Sequence, residues 1–294
     1  MQRRSRRPVV AALVSIGLAA TATGVAFAAR AGQRMREPAR SPRAFLRLGR
    51  APGTNTVLAC LGDSITHGVV SADYVAMLTE RLGPDGVEVV NAGINGNLAW
   101  NVLQRLDAVI ACRPDVVTLL IGTNDVNATL SPSSEAMYLR QQHLPQDPTL
   151  EWYRESVAAI LERLQADTTA RIAVLDLPPL GEDLESEANR RIVAYSEALR
   201  EVAAQLGIPC LPLHERLVAL VPPGHEPPPY SESRALIVRS AFRRLVLRRS
   251  WNEVAAANGL VVLTDHIHLS ENGAEVVADL IAGFVAGDGA PAPG

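Results

Sequence analysis

Gly62-Asp63-Ser64 follows the apolar run Thr56–Leu61, and near the other end of the chain Thr264-Asp265-His266-Ile267-His268-Leu269-Ser270 sets an aspartate three positions before a histidine. A serine hydroxyl attacks a carbonyl only when a base removes its proton. A carboxylate on one imidazole nitrogen leaves the other nitrogen ready to act as that base. Three positions on a helix-like turn bring Asp265 and His268 into contact, so Ser64, His268 and Asp265 form a candidate nucleophile, base and orienting group. The same residues admit plainer readings. Gly-Asp-Ser is also an ordinary turn, Asp63 is expected to brace that turn, and His266 competes with His268 for the role of base. An aspartate and two histidines within four residues suggest a metal, but no distant ligand set accompanies them. No metal or organic cofactor is expected.

Two more clusters can meet a developing negative charge. Asn91-Ala92-Gly93-Ile94-Asn95-Gly96-Asn97 packs glycines where backbone N–H groups point at an anion, and Ile121-Gly122-Thr123-Asn124-Asp125 offers a side-chain amide at Asn124. Read singly, the first is a turn and the second a helix cap or Asx-turn.

The surrounding elements place these clusters. Short apolar runs at Thr56–Leu61, Val87–Asn91, Asp115–Ile121, Arg171–Leu177 and Ile208–Leu213 read as strands. Amphipathic stretches at Tyr74–Leu82, Asn101–Ala111, Leu150–Asp167 and Ser186–Leu206 read as the helices between them. Strand and helix in turn imply a mostly parallel five-stranded sheet with helices on both faces, a three-layer α/β/α sandwich. Ligands of such sheets bind beyond the carboxyl ends of the strands, where the polar clusters fall. Residues 125–149 read as loop, the five prolines of Pro222–Tyr230 exclude helix or central strand, and Ser233–Ala257 reads as helix with apolar and arginine residues interleaved.

Taken in this order, the four clusters resemble the SGNH hydrolases, or GDSL family, whose blocks supply Ser, Gly, Asn and His. The resemblance covers roughly residues 56–286 and implies a flavodoxin-like fold and ester hydrolysis. It further implies Ser64 as nucleophile, His268 as base oriented by Asp265, and an oxyanion site of Ser64, Gly96 and Asn124. Gly93 is the alternative to Gly96. Acyl transfer and carbohydrate deacetylation use the same residues, and a tethered binding module would leave them idle. A small or medium acyl ester is the expected substrate.

Charge bounds the partners. Residues 1–50 hold 11 of the 28 basic residues, all arginine, and one acid, so the rest carries 17 basic and 30 acidic residues. An acidic body excludes nucleic acid as the expected partner, because that binding depends on neutralising phosphates. Arg3, Arg4, Arg6 and Arg7 ahead of an uncharged stretch to Ala29 read as a signal peptide or membrane anchor over 1–29. That places the protein outside the cytoplasm or on the outer face of its membrane. Residues 30–52, rich in arginine and proline, read as a linker able to touch an anionic membrane surface. A domain is expected over 53–286, with 222–257 inserted near its site and 287–294 as a frayed tail. Cys60, Cys112 and Cys210 lack a disulfide spacing and read as free thiols.

Overall fold

The structure, a computed structural model, describes residues 37–231 and 234–287. The expected signal or anchor at 1–29 and the last residues of the expected tail lie outside the described residues. Five strands, β1 Thr56–Gly62, β2 Val87–Gly93, β3 Val116–Leu120, β4 Arg171–Leu175 and β5 Cys210–Leu211, form a parallel sheet in the order β2-β1-β3-β4-β5. The chain runs outward from β1 in one direction and from β3 in the other, which opens a crevice beyond their carboxyl ends.

Alternation along each strand divides the core. Val57, Ala59 and Leu61 of β1 face a layer built from Ala99–Ala111, Leu150–Asp167 and Glu187–Gln205. Leu58 and Cys60 face the opposite layer of Tyr74–Leu82, Leu213–Val218, Trp251–Ala257 and Glu271–Ala286. A strand covered on both faces needs a nearly continuous apolar run, which β1 supplies over Val57–Leu61 and β3 supplies apart from the buried Thr118. Burial pushes the Cys60 thiol up to about 12, and all three cysteines are free.

Several expectations are corrected. The helix expected over Asn101–Ala111 is two, Ala99–Gln104 and Leu106–Ala111, broken at Arg105 (φ −117°, ψ 13°). Strand β5 is shorter than Ile208–Leu213, because Pro209 and Pro212 flank it and have no N–H for a ladder. The loop expected over 125–149 contains the end of helix Thr123–Ala128 and all of Pro132–Gln141, the latter capped by the Ser131 hydroxyl. Leu98, Ala128, Tyr138 and Leu144 give it a small core of its own. The single helix expected over Ser233–Ala257 is two, Arg234–Leu245 and Trp251–Ala257, the second opened by a capping box of Ser250 and Glu253. The linker expected over 30–52 is not a linker from Ser41 onward. A helix, Pro42–Leu48, is capped by Ser41 and buries Phe45 in the core, while Arg40 O accepts the N–H of Asn91 at 2.9 Å.

Candidate active site

Ser64 is the first residue of a one-turn helix, Ser64–His67, directly after β1. Asp63 caps it: Oδ1 accepts the Ile65 N–H at 2.9 Å, and Oδ2 accepts from Asn124 Nδ2 at 3.2 Å. Asp63 therefore braces the turn. Burial pushes its carboxyl up to about 6, opposed by the Ile65 N–H and by the charges of His268 and Arg105. Because Ser64 opens a helix, its N–H has no intrahelical acceptor and faces outward from the helix start.

From the far end of the chain, Asp265 and His268 reach the same place. Ser64 Oγ lies 2.9 Å from His268 Nε2, and His268 Nδ1 lies 3.0 Å from both oxygens of Asp265. All three side chains are buried. Burial works to lower the His268 pKa, but the charge and hydrogen bond of Asp265 together with the charge of Asp63 outweigh it, so the imidazole stands above its ordinary value. The segment is not a helical turn as the spacing suggested. Thr264 N–H donates to His268 O at 2.7 Å, Leu263 bridges Leu269 antiparallel, and His266 adopts φ +74°. Asp265 meets His268 because Oδ1 also accepts the N–H groups of Ile267 (3.2 Å) and His268 (2.9 Å), folding the loop around its carboxylate. His266 points elsewhere. Its ring stands edge-on to Tyr230 at 5.7 Å, and burial lowers its pKa.

The two glycines of the second cluster separate in role. A Cβ on Gly93 would overlap the His67 nitrogen and stand 2.6 Å from the Thr66 carbonyl carbon, so Gly93 lets β2 pack against the serine turn. Gly96, at φ +75°, instead lines a cavity of about 560 Å³ with Ser64, Asn124 and His268. The Asn124 amide donates to Asn97 O at 3.0 Å as well as to Asp63, and its oxygen accepts the Tyr138 hydroxyl at 2.7 Å. All five residues anticipated from sequence thus meet at one cavity or brace its wall.

Sequence reasoning missed the groups that tie the clusters together. Arg105 turns back at the helix break to donate to Gly62 O and Asn97 Oδ1, each at 2.8 Å. Tyr138 comes from the helix read as loop, although Ser131-Pro132 carried a cap and first-turn proline that mark a helix start. Ile237 and Val238 of the segment expected to be inserted near the site line the cavity.

The family model described as "GDSL-like Lipase/Acylhydrolase family" matches residues 60–276. The chain belongs to the GDSL family. An acetylxylan esterase of Geobacillus stearothermophilus is 29% identical over 173 residues, covering 52% of this chain and 74% of that protein. Among solved structures, the acetyl xylan esterase AlAXEase superposes with a TM-score of 0.54 at 21% identity, covering 78% of this chain and 99% of the other. A lipase/acylhydrolase from Enterococcus faecalis gives 0.53 at 21%, covering 81% and 100%. Like the other GDSL acylhydrolases, this protein is a carboxylic ester hydrolase.

Proposed function

We propose that the protein hydrolyses short acyl esters of a hydroxyl-rich alcohol through an acyl-enzyme on Ser64. The contact of Ser64 Oγ with His268 Nε2 at 2.9 Å, backed by Asp265 on Nδ1, carries this reading. His268 takes the hydroxyl proton as Ser64 attacks the ester carbonyl, and Asp265 steadies the imidazolium that forms. The oxyanion is met by the N–H groups of Ser64 and Gly96 and by the Asn124 amide, which exchanges its longer bond to Asp63 for this one. Collapse expels the alcohol, protonated by His268. Water, deprotonated by His268, then attacks the acyl carbonyl and frees Ser64 with release of the acid.

The substrate class follows from the cavity wall and the named relative. Asn95, Asn127, Gln141 and Gln142 contribute neutral amides to the lining, and Val70, Ile237 and Val238 contribute apolar surface. Neutral amides suit sugar hydroxyls better than charged groups, and the curated relative is named for acetylated xylan. Export belongs to the same reading, on the strength of four arginines followed by an uncharged stretch to Ala29.

The test is hydrolysis of p-nitrophenyl esters from acetate to long chains by the full chain and by Ser64→Ala. Acetate should be cleaved fastest, and the variant should be inactive. Equal rates for the two proteins would remove Ser64 from the mechanism.

A further inference from the structure

A buried carboxylate that touches neither Ser64 nor the cavity grips the loop bearing Asp265 and His268. Glu182 lies in the turn after β4, and its side chain is 0% exposed. Its Oε1 accepts the backbone N–H groups of Val261, Val262 and Leu263 at 2.9, 2.8 and 2.9 Å, and Oε2 accepts Val261 again at 2.9 Å. His225 Nε2, from the proline-rich segment, stands 3.2 Å from Oε2. Successive N–H groups converging on one anion form a concavity whose chain direction is fixed by the anion.

That fixed stretch runs directly into the catalytic loop. Leu263 bridges Leu269, and Thr264 N–H donates to His268 O. The residue before Glu182 holds the loop's tip, since Gly181 N–H donates to His266 O at 2.7 Å, at the position where φ is +74°. On the far side, Ser71 Oγ accepts the Leu269 N–H at 3.0 Å. The β4 turn therefore holds the entry and the tip of the loop, and the Ser71 segment holds its exit. Ser64 and His268 sit on segments remote in sequence, so their 2.9 Å contact depends on these anchors.

We propose that Glu182 is a positioning residue that sets the Asp265–His268 pair over Ser64, an inference that rests on His268 being the base. A displacement near 1 Å at a reacting pair costs on the order of 100-fold in rate. In Glu182→Gln the amide oxygen at the Oε1 position keeps all three N–H groups, but the NH₂ group at the Oε2 position replaces the second acceptor of the Val261 N–H with a donor and removes the charge the three share. Activity toward p-nitrophenyl acetate is measured per site titrated with a serine-reactive phosphonate, so misfolded molecules do not count. Glu182→Gln should lose roughly 10- to 100-fold in kcat with KM essentially unchanged. The rate of phosphonate labelling at Ser64 should fall in parallel while its endpoint is kept. Glu182→Asp, which keeps the charge but retracts it by one methylene, should fall between the two.

A wild-type rate per titrated site in Glu182→Gln would overturn the proposal. So would a loss confined to the number of titratable sites, which is what a purely structural carboxylate produces. Should Glu182→Gln be insoluble, Glu182→Asp is judged by the same two criteria. Wild type and Ser64→Ala are labelled alongside. Failure of the wild type to label at Ser64 defeats the underlying mechanism and this proposal with it, whereas equal labelling rates in wild type and the Glu182 variants, with no labelling in Ser64→Ala, defeat the role of Glu182 alone.

Discussion

Asp265→Asn separates geometry from chemistry in a way the structure makes explicit. Oδ1 accepts two backbone N–H groups, from Ile267 and His268, so the asparagine must place its carbonyl oxygen there to keep the loop folded. Its NH₂ group is then forced into the Oδ2 position, 3.0 Å from His268 Nδ1. The carbonyl oxygen at the Oδ1 position also lies 3.0 Å from Nδ1, but two backbone N–H groups already share it, so the amide donor at the Oδ2 position favours a bare Nδ1 and puts the imidazole proton on Nε2, facing Ser64 Oγ at 2.9 Å. The base is then in the wrong tautomer, with its fold intact. Loss of this kind costs about 10⁴-fold in kcat, on the order of 5 kcal/mol of transition-state stabilisation. The pH profile should move as well. Asp265, with a smaller contribution from Asp63, holds the His268 pKa above its ordinary value against burial. Activity requires neutral His268, so it falls as pH drops through that pKa, and without the carboxylate the acid limb of kcat/KM moves to lower pH. The assay is p-nitrophenyl acetate hydrolysis from pH 4.5 to 9, with thermal unfolding as the control for folding. A folded Asp265→Asn enzyme within tenfold of wild type would refute the assignment.

Two further predictions concern neighbouring residues. Gly93→Ala should fail to fold or unfold at much lower temperature, since its Cβ meets backbone; Gly96→Ala meets only the Gln142 side chain, so it should fold with some strain at φ +75°, and because alanine keeps the N–H its loss of turnover comes from relief of that strain turning the N–H away from the oxyanion, on the order of 100-fold for a displacement near 1 Å. Expression with thermal unfolding, followed by kinetics on whatever folds, checks the pair, and the reverse pattern would exchange their roles. Asp125 tests the energetics of a buried acid: burial, opposed by the Ala99 N–H, pushes its carboxyl up to about 8. A group whose folded pKa is raised gives stability that is complete below its unfolded value, about 4, and is lost as pH rises through the folded value. Asp125→Asn cannot lose it, so its melting temperature should gain on wild type steadily from pH 5 to pH 8.5, whereas a pH-independent difference would contradict the raised pKa.

How much of this was legible in the sequence depends on the kind of interaction. Strand β1 and the helix Leu150–Asp167 were readable because local patterning and burial agree: an unbroken apolar run under two layers, and a threonine cap before a long amphipathic stretch. Five site residues were readable because their types are dictated by chemistry and they sit at strand ends or loop tips. Helix Pro132–Gln141 escaped because its own core is small and shared with Leu98 and Ala128, so its apolar period is faint. Helix Pro42–Leu48 escaped because Phe45 alone carries its burial, and five arginines from Arg34 to Arg47 mask it. The break at Arg105 had no local signal at all, since its partners Gly62 and Asn97 belong to other clusters.

That last case explains why the clusters are short and polar at once. Each supplies a reacting group and also a hydrogen bond to another cluster. Asn91 Nδ2 donates to Thr66 O in the serine turn, Arg105 joins Gly62 to Asn97, and Asn124 joins Asn97 to Asp63. Asp63 in turn lies beneath the nucleophile and contributes to the raised pKa of His268. Buried polar groups of this sort are costly when one partner is missing, so changing any single member orphans a second. The parallel sheet brings the carboxyl ends of β1, β2 and β3 side by side, and these bonds turn that proximity into fixed distances. His268, arriving on a loop from outside the sheet, has no such strand beneath it, which is why its position must come from Asp265, Ser71 and the turn after β4.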